Sequence, residues 1–214
     1  MATTRIIPMH VNKGKTIAQC LKARTDYAKN PDKTDGGVLV SSYACDPETV
    51  DAEFLLSKQE YRALTGRTQK RDVIAYQLRQ SFLPGEITPE EANRLGQELA
   101  QRFTKGDHAY IVCTHIDKKH VHNHIIWNSV SLDCDRKFCN FWGSSKAIRR
   151  LNDTICIENG YSIVEHPQRH GKSYDQWLGD QKPPTHRERL CMAIDHALEQ
   201  KPADFDALLM LLHD

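Results

Sequence analysis

The 214-residue sequence lacks the long apolar runs that mark membrane-spanning proteins. No stretch approaches the roughly 20 consecutive apolar residues that a helix needs to cross a bilayer. The first residues, MATTRIIPMHV, also lack the basic, apolar and small-residue order of a secretory signal peptide. These two absences predict a cytoplasmic protein without membrane insertion.

Signs of disulfide pairing are missing as well. The seven cysteines include no C-x-x-C pair, and an odd number does not suit a disulfide framework in a chain of this size. We therefore expect the thiols to be reduced, which agrees with a cytoplasmic location.

Charge of one sign is not in excess over the whole chain, whose formal net charge is +1. The first 34 residues nevertheless contain seven basic side chains against two acidic ones, a local excess of five positive charges. Such a cluster can contact phosphates even in a near-neutral chain. The candidates for these contacts are Lys13, Lys15, Arg24 and Lys33. A solvated helix face explains the same charges equally well at this point.

Alternating strand and helix patterns predict an α+β fold, with a central, mainly antiparallel sheet flanked by helices. Apolar and β-branched runs predict strands at 4–11, 37–45, 72–82, 108–115 and 122–130, with shorter strands at 137–142 and 161–165. Helices are predicted at 16–29, 47–64, 88–104 and 144–158. Thr16, Thr88 and Ser144 are the expected N-caps of three of them.

Two further helices are expected at 185–200 and 203–213, after a polar, irregular segment at 166–184. We accordingly divide the chain into a main domain at 1–165 and a C-terminal helical extension at 166–214, which packs on the main domain or follows it. The last helix still has an uncovered apolar stripe where the sequence stops, which predicts a longer native polypeptide.

Four histidines are concentrated within ten residues of the stretch THIDKKHVHNHIIWN, at positions 115, 120, 122 and 124. Side chains alternate along a strand, so His122 and His124 are expected on one face, about 7 Å apart. His115 ends the preceding predicted strand, from which its imidazole can reach the same point. The spacing H-x6-H-x-H across two adjacent strands therefore predicts a site for one metal ion.

Such a site favours catalysis over a purely structural role. Three neutral imidazoles leave open coordination positions for substrate oxygens, whereas closed structural sites use four ligands rich in cysteine. The donor set is compatible with Mn²⁺, Zn²⁺, Co²⁺ or Ni²⁺. Asp117 and Asn128 are candidates for fixing a histidine tautomer. For His120 three roles stay open: an alternative ligand, a neighbour of the ligands, or a DNA contact.

Four segments carry a family resemblance, and they occur in the order YAKNPDKT (27–34), AYQLRQSFLPGEITPEEA (75–92), THIDKKHVHNHIIWNSV (114–130) and LNDTICIENGYSIVE (151–165). With these segments the chain resembles the relaxase and mobilisation nuclease family, namely the conjugative relaxases of the VirD-like, MOBP-type branch of the HUH endonucleases. The resemblance covers about residues 1–165. It implies a relaxase-like α+β fold and a DNA relaxase that nicks one strand at an origin of transfer.

The resemblance also implies roles for individual residues. The three histidines that hold a divalent metal in the family, with Mn²⁺ or Mg²⁺ as the implied ion, map to His115, His122 and His124. The family's attacking tyrosine maps to Tyr27, which would become linked to a 5′-phosphate and release a free 3′-OH. Composition and periodicity alone do not single out Tyr27, which lies at the edge of an apolar helical stripe.

Further DNA contacts are expected near these motifs. Ser81 lies in the stretch that matches the family's second motif, which is associated with DNA contact, and Arg79 is a candidate for the basic track. Lys118 and Lys119 are favoured as phosphate contacts because they lie beside the histidines. Gln77 departs from relatives that carry histidine at this position, so no ligand or proton-transfer role is assigned to it.

The implied substrate is single-stranded, origin-of-transfer DNA, and the implied partners are an accessory relaxosome protein and a type IV secretion coupling protein. From the residues themselves two other functions stay open. One is a metal-dependent nuclease whose histidines activate water. The other is a non-catalytic DNA-binding module whose histidines bind a structural metal or only pack. The sequence has no H-E-x-x-H motif, which weakens a protease interpretation.

Overall fold

The structure, a computed structural model, describes residues 2–68, 72–165 and 186–212. The chain divides into two compact units, Met1–Glu165 and His166–Asp214. Among the described residues, the β-sheet belongs to the first unit.

The sheet has five strands, and every neighbouring pair is antiparallel. The strands are β1 (Thr3–His10), β2 (Val40–Tyr43), β3 (Val73–Ser81), β4 (Tyr110–His115) and β5 (His122–Asn128). Their order across the sheet is β1-β3-β5-β4-β2, so β5 is the central strand and its hairpin partner β4 lies beside it. The predicted α+β class with a mainly antiparallel sheet is confirmed.

Four helices accompany the sheet: α1 (Ile17–Ala28), α2 (Val50–Thr65), α3 (Pro89–Thr104) and α4 (Ser144–Glu158). Thr16 forms a capping box with Gln19 at the start of α1. At the start of α3, the hydroxyl of Thr88 accepts a hydrogen bond from the backbone N–H of Glu91. Gly66 ends α2 with a φ of 65°, a left-handed conformation that glycine adopts without strain.

The helices cover opposite faces of the sheet. Leu21 of α1 packs with residues of α2 and with Ile126 of β5 in one apolar core. Leu95 of α3 and Ile155 of α4 pack with Trp127 of β5 in the other. Successive side chains of β5 therefore enter two buried layers in turn, which explains why its apolar run is continuous rather than alternating.

The prediction of the two shorter strands is wrong. The segment 137–142 is not a strand, because an isolated bridge between Val130 and Lys137 is its only recorded pairing. No strand forms at 161–165, where the backbone N–H of Tyr161 donates to the carbonyl of Cys156 and closes the end of α4 instead.

Two predicted boundaries also differ from the structure. β2 begins at Val40 rather than at residue 37, because Gly36 and Gly37 adopt positive φ values and form a turn. The N-cap of α4 is Gly143 rather than Ser144. The hydroxyl of Ser144 instead accepts a hydrogen bond from the backbone N–H of Phe141 and closes the turn before the helix.

The second unit contains α5 (His186–Glu199) and α6 (Phe205–Leu211), which confirms the two predicted C-terminal helices. Asp204 caps α6 by accepting a hydrogen bond from the backbone N–H of Ala207. The segment 166–184, predicted to be irregular, lies outside the described residues. In the described ranges, no helix combines the length and the apolar character needed to cross a lipid bilayer.

Candidate metal centre and nucleophile

Three histidines come together where β4 pairs with β5. The strand register places His115 opposite His122, and Cys113 opposite His124. Directly opposed residues project to the same face of a sheet, and Cys113 packs in the same core as Leu21 of α1. All three imidazoles therefore project from the face that α1 covers.

The three rings are close enough to share one ion. Ring centroids are 5.2 Å apart for His115 and His122, 4.3 Å for His115 and His124, and 5.2 Å for His122 and His124. One ring nitrogen of each histidine lies within 4.8 Å of those of the other two. Nitrogens bound about 2.1 Å from a metal lie at most about 4.2 Å apart, so the cluster is only slightly wider than an occupied site.

Burial keeps these imidazoles neutral. Desolvation, reinforced by neighbouring histidines, lowers the pKa of His122 to about 4 and that of His124 to about 2. Desolvation also lowers the pKa of His115, although a hydrogen bond to the carbonyl of Ala28 opposes this effect. Because neutral imidazole is the form that binds metal, all three side chains are ready to act as ligands at neutral pH.

The two ring nitrogens of His115 differ in their surroundings. Its Nε2 lies 2.8 Å from the carbonyl oxygen of Ala28, so this nitrogen carries the proton and donates it. Its Nδ1 is buried and has no hydrogen-bond partner among the described residues. A buried, unpaired polar atom costs about 1–3 kcal/mol, a cost that coordination to a metal would remove. The three histidines therefore fit a bound divalent ion.

Gln77 contacts this cluster, although the sequence did not identify it. Its side-chain amide lies 2.5 Å from Nδ1 of His124, and Gln77 is only 7% exposed. The two ends of an amide have the same shape, so the hydrogen-bond partner decides its orientation. If Nε2 of His124 binds metal, Nδ1 carries the proton and donates to the amide oxygen of Gln77. A glutamine within a strand has no spacing signal that could have revealed this contact.

Tyr27 lies beside the same cluster, in the last turn of α1. The centroid of its ring is 5.9 Å from that of His115 and 5.7 Å from that of His124. The tyrosine is 53% exposed, whereas the next residue, Ala28, is fully buried. The hydrogen bond from His115 to the Ala28 carbonyl joins the end of α1 to the end of β4. The ring is thereby positioned next to the histidines and stays open to solvent.

Lys33 and Asp117 flank the tyrosine. The Nζ atom of Lys33 lies 4.1 Å from the centroid of the Tyr27 ring and 3.8 Å from a carboxylate oxygen of Asp117. The backbone N–H of Ile116 donates to the carbonyl of Lys33 at 2.9 Å, which attaches the turn after α1 to the end of β4. Asp117 therefore pairs with the lysine that covers the tyrosine ring.

Two residues predicted on β3 lie on the histidine face. The register places Arg79 opposite His124 and Ser81 opposite His122. His120, in the turn before β5, stacks on His122 with 4.9 Å between ring centroids and 29° between ring planes. These three residues therefore lie next to the cluster, two on the neighbouring strand and one in the turn before β5.

The remaining predicted basic residues fall into two groups. Arg24 lies one helical turn before the tyrosine on α1, and Lys118 and Lys119 are exposed in the turn that joins β4 to β5. Lys13 and Lys15 lie at the other end of α1, whose 12 residues span about 18 Å. The structure therefore brings the first group to the histidines and leaves the second group away from them.

Asn128 lies away from the histidines as well. It is the last residue of β5 and pairs with Ala75. Its side-chain oxygen accepts a hydrogen bond from the backbone N–H of Val130 at 3.1 Å. This contact orders the chain after β5 and involves no histidine ring.

A buried polar chain lies behind the histidines, on the other face of the same strands. Asn123 donates to the side-chain oxygen of Gln80 at 2.8 Å and to the carbonyl of Ala92 at 2.6 Å. It also accepts from the hydroxyl of Thr114 at 2.7 Å, and Gln80 donates to Asn152 at 2.8 Å. These bonds join β3, β4 and β5 to α3 and α4 at the level of the histidines, and they stabilise the register there.

Clustered histidines, an adjacent tyrosine and nearby basic side chains on one face of an antiparallel sheet are compatible with a protein that binds a metal ion and contacts phosphates. The chain belongs to the MobA/VirD2-like relaxase family, whose nuclease domain it matches over residues 27–161. This match confirms the family resemblance, and the matched range begins at Tyr27 and includes all three clustered histidines.

Individual relatives agree with this assignment. Protein rlx of Staphylococcus aureus is 38% identical over 125 residues, which cover 58% of this chain and 38% of that protein. The group II intron-interrupted relaxase LtrB of Lactococcus lactis subsp. cremoris is 27% identical over 209 residues, or 81% of this chain and 36% of that protein. The chain thus spans less than two fifths of the length of these relatives.

A solved structure shows the same fold. The MobM relaxase domain, in its Mn-bound complex with plasmid oriT DNA, superimposes with a TM-score of 0.58 at 10% identity. The aligned region covers 83% of this chain and 98% of that domain.

Proposed function

We propose that this chain is the nuclease domain of a DNA relaxase, which nicks one strand at an origin of transfer through direct attack by Tyr27. The observation that supports this best is the position of the tyrosine ring, less than 6 Å from two of three clustered, neutral histidines. Residues 1–165 form the catalytic domain in this proposal, and residues 166–214 form a helical extension. Membership in the relaxase family supports the DNA substrate.

His115, His122 and His124 would hold one divalent metal ion, which supplies positive charge to the phosphate that is attacked. The unpaired Nδ1 of His115 and the neutrality of all three imidazoles support this ligand set. The MobM domain of similar fold is Mn-bound, which supports a divalent ion here. Mn²⁺ and Mg²⁺ are the two ions that we propose.

The chemical step exchanges one phosphoester for another. The phenol oxygen of Tyr27 forms a bond to phosphorus, the bond from phosphorus to the 3′ oxygen breaks, and the phenol proton ends on the released 3′-OH. The product is a 5′-phosphotyrosine link between protein and DNA. Because the number of phosphoester bonds is unchanged, the same residues can rejoin the strand without an added energy source.

The surrounding side chains prepare this step. The Nζ atom of Lys33 lies 4.1 Å from the centroid of the Tyr27 ring and pairs with Asp117, so a positive charge lies over the phenol ring. Arg79 and Ser81 lie opposite His124 and His122 in the strand register. We assign contacts with the DNA backbone to these two residues and to Arg24, Lys118 and Lys119. Lys13 and Lys15 precede α1, whose 12 residues span about 18 Å, so we assign only a distal DNA contact to them.

The proposal also includes protein partners of the whole relaxase. We propose that the protein acts in the cytoplasm with an accessory DNA-binding protein of the relaxosome and a type IV secretion coupling protein. The helical extension that follows the catalytic domain has exposed apolar side chains that could contact such proteins, including Met192, Phe205 and Met210.

Adduct formation tests the proposal. The protein is incubated with labelled single-stranded DNA from its cognate origin and Mn²⁺ or Mg²⁺, and covalent protein–DNA product is measured on a denaturing gel. We expect Tyr27→Phe to abolish the adduct while retaining DNA binding, because only the attacking oxygen is removed. Tyr161→Phe is the matched control, since Tyr161 packs on the opposite face of the sheet.

Each alternative function has its own outcome in this assay. A nuclease that activates water would give cleaved DNA without any protein-linked product. A binding module would give neither product, with or without metal. An undiminished adduct in Tyr27→Phe would refute Tyr27 as the nucleophile.

A further inference from the structure

Two arginines lie side by side on the histidine face of the sheet. In the strand register Arg5 of β1 is directly opposite Arg79 of β3, and Arg79 is directly opposite His124 of β5. Adjacent strands are about 4.8 Å apart, so the backbone of Arg5 lies only about 10 Å from that of the histidine. Arg5 and Arg79 are called the arginine pair below.

The alternation of side chains places this pair on the face of the metal centre. Gln77 and Arg79 are two residues apart on β3, and Gln77 reaches the ring of His124. On β1, Arg5 and Met9 are four residues apart, and Met9 packs in the core that α1 covers. Because residues at even spacing in a strand share a face, both guanidinium groups extend from the same side as the three histidines. Both side chains are also exposed.

This arrangement is unfavourable for the free protein. Like charges directly opposite each other on antiparallel strands are destabilising. Neither Arg5 nor Arg79 forms an ion pair with any described residue, although several other arginines do. Arg94, Arg102 and Arg136 each have a carboxylate partner within 3.1 Å. The arginine pair therefore carries two positive charges without a carboxylate partner among the described residues, unlike the arginines that form structural ion pairs.

We propose that Arg5 and Arg79 form a phosphate subsite, which holds a backbone phosphate of the substrate strand next to the one attacked at the metal centre. This inference rests on the proposed function, since it assumes that a DNA strand passes over the histidines. The guanidinium fork matches phosphate oxygens, and one phosphate between the two groups would neutralise their repulsion.

The chemistry of the subsite indicates which part of the DNA it recognises. Arginine contacts to phosphate position a strand but carry no direct sequence information. The pair would therefore hold any single strand in register with the nick site. β1 is an edge strand of the sheet. The bound DNA could therefore continue past Arg5 without obstruction from a further β-strand.

Binding of an unstructured dT oligonucleotide tests the subsite. Fluorescence anisotropy is measured with a chelator and in the Tyr27→Phe background, so that cleavage does not occur. We expect Arg5→Gln to weaken binding about fivefold and to reduce the slope of log affinity against log salt by about 0.7, the value for one lost phosphate contact on a single strand. Arg5→Lys should keep the salt slope because the charge remains.

Thermal unfolding of the same variants separates a ligand role from a structural one. Removing one of two opposed like charges should leave the unfolding midpoint equal or higher, although DNA binding falls. A structural role would lower both quantities together. Arg150→Gln is the matched control, because Arg150 is also an exposed arginine but lies on α4, which covers the opposite face. It should change neither the midpoint nor the affinity.

The outcomes distinguish this inference from the proposed function. If Arg5→Gln binds the oligonucleotide like the parent protein, or unfolds at a clearly lower temperature, the phosphate subsite is refuted even where wild-type protein forms a covalent adduct. If wild-type protein forms no adduct but Arg5→Gln still weakens binding with unchanged stability, the proposed nicking fails and the subsite stands.

Discussion

The metal cluster and the tyrosine beside it are built in opposite ways. His115 and His124 are 0% and 2% exposed and belong to two central, paired strands, whereas Tyr27 is 53% exposed in the last turn of a helix. The cluster is held by strand register on one face and by the Asn123 network on the other. The tyrosine is held mainly through its neighbour Ala28, whose carbonyl accepts from His115. The half that binds metal is therefore rigid, and the half that meets DNA is open. The two are joined by the hydrogen bond from His115 to Ala28, the hydrogen bond from Ile116 to Lys33 and the ion pair between Lys33 and Asp117.

The largest expected effect comes from removing the rigid half. We expect His122→Ala with His124→Ala to abolish metal binding and nicking together, because two of three ligands are lost. Tyr27→Phe should abolish the adduct yet retain the parent metal affinity. Isothermal titration with Mn²⁺ measures the affinity, and the rise in unfolding midpoint on adding metal gives a second readout. Parent-like metal affinity in the double variant would place the ion elsewhere.

The two halves also differed in how far the sequence predicted them. The histidine cluster could be predicted because side chains of a strand alternate strictly and because the two strands are joined by a short turn. The spacing of His122 and His124 then fixes a shared face, and His115 is the only histidine at the end of the partner strand. Both facts are local, so they can be read from fifteen residues of sequence.

Tyr27 and Gln77 could not be found in this way. Their contacts with the cluster join residues that are 47 or more positions apart, and they depend on how α1 and β3 lie relative to β5. Family resemblance supplied Tyr27 because its neighbouring residues match a motif. For Gln77 it showed only that relatives carry histidine at this position, and the role of the glutamine follows from its contact with His124.

A second, smaller effect would come from Gln77. We expect Gln77→Leu to weaken metal binding about 10- to 100-fold, since residues that orient a histidine ligand typically contribute that much. Gln77→Glu should restore affinity, because its carboxylate still accepts the proton on Nδ1 of His124. Nitrogen NMR of the imidazoles in the metal-free protein would show whether the Nδ1–H tautomer of His124 is lost in Gln77→Leu. An unchanged tautomer would contradict the assignment.

In the open half of the site, a substitution of Lys33 should slow the reaction but leave metal binding intact. We expect Lys33→Met to slow adduct formation about tenfold, which corresponds to about 1.4 kcal/mol, because the positive charge over the attacking phenol ring is removed. Lys33→Arg should recover most of the rate. Lys105→Met is the control, since Lys105 is exposed at the C-terminal end of α3, which covers the opposite face of the sheet. A parallel loss of Mn²⁺ affinity in Lys33→Met would show that the two halves are not separable.

The smallest expected effect comes from a substitution next to the polar network behind the histidines, where a gain in helix propensity opposes a steric clash. Gly96→Ala gains up to about 1 kcal/mol of helix propensity in α3. The added Cβ would, however, lie 2.6 Å from Nδ2 of Asn123 and 2.8 Å from Cγ1 of Val112, and overpacking of this kind costs about 1–3 kcal/mol.

The Nδ2 atom of Asn123 is hydrogen-bonded to Gln80 and Ala92 and does not move freely, so we expect the clash to win. The net loss should be up to about 2 kcal/mol in the free energy of unfolding measured by urea denaturation. Asn123 lies between His122 and His124, so a displaced amide should also weaken metal binding. The double variant Gly96→Ala with Asn123→Ala should cost less than the sum of the single variants, because the side chain that clashes has been removed. Strict additivity would mean that Gly96 and Asn123 do not interact, and that the rigidity of the metal-binding half comes from the strand register alone.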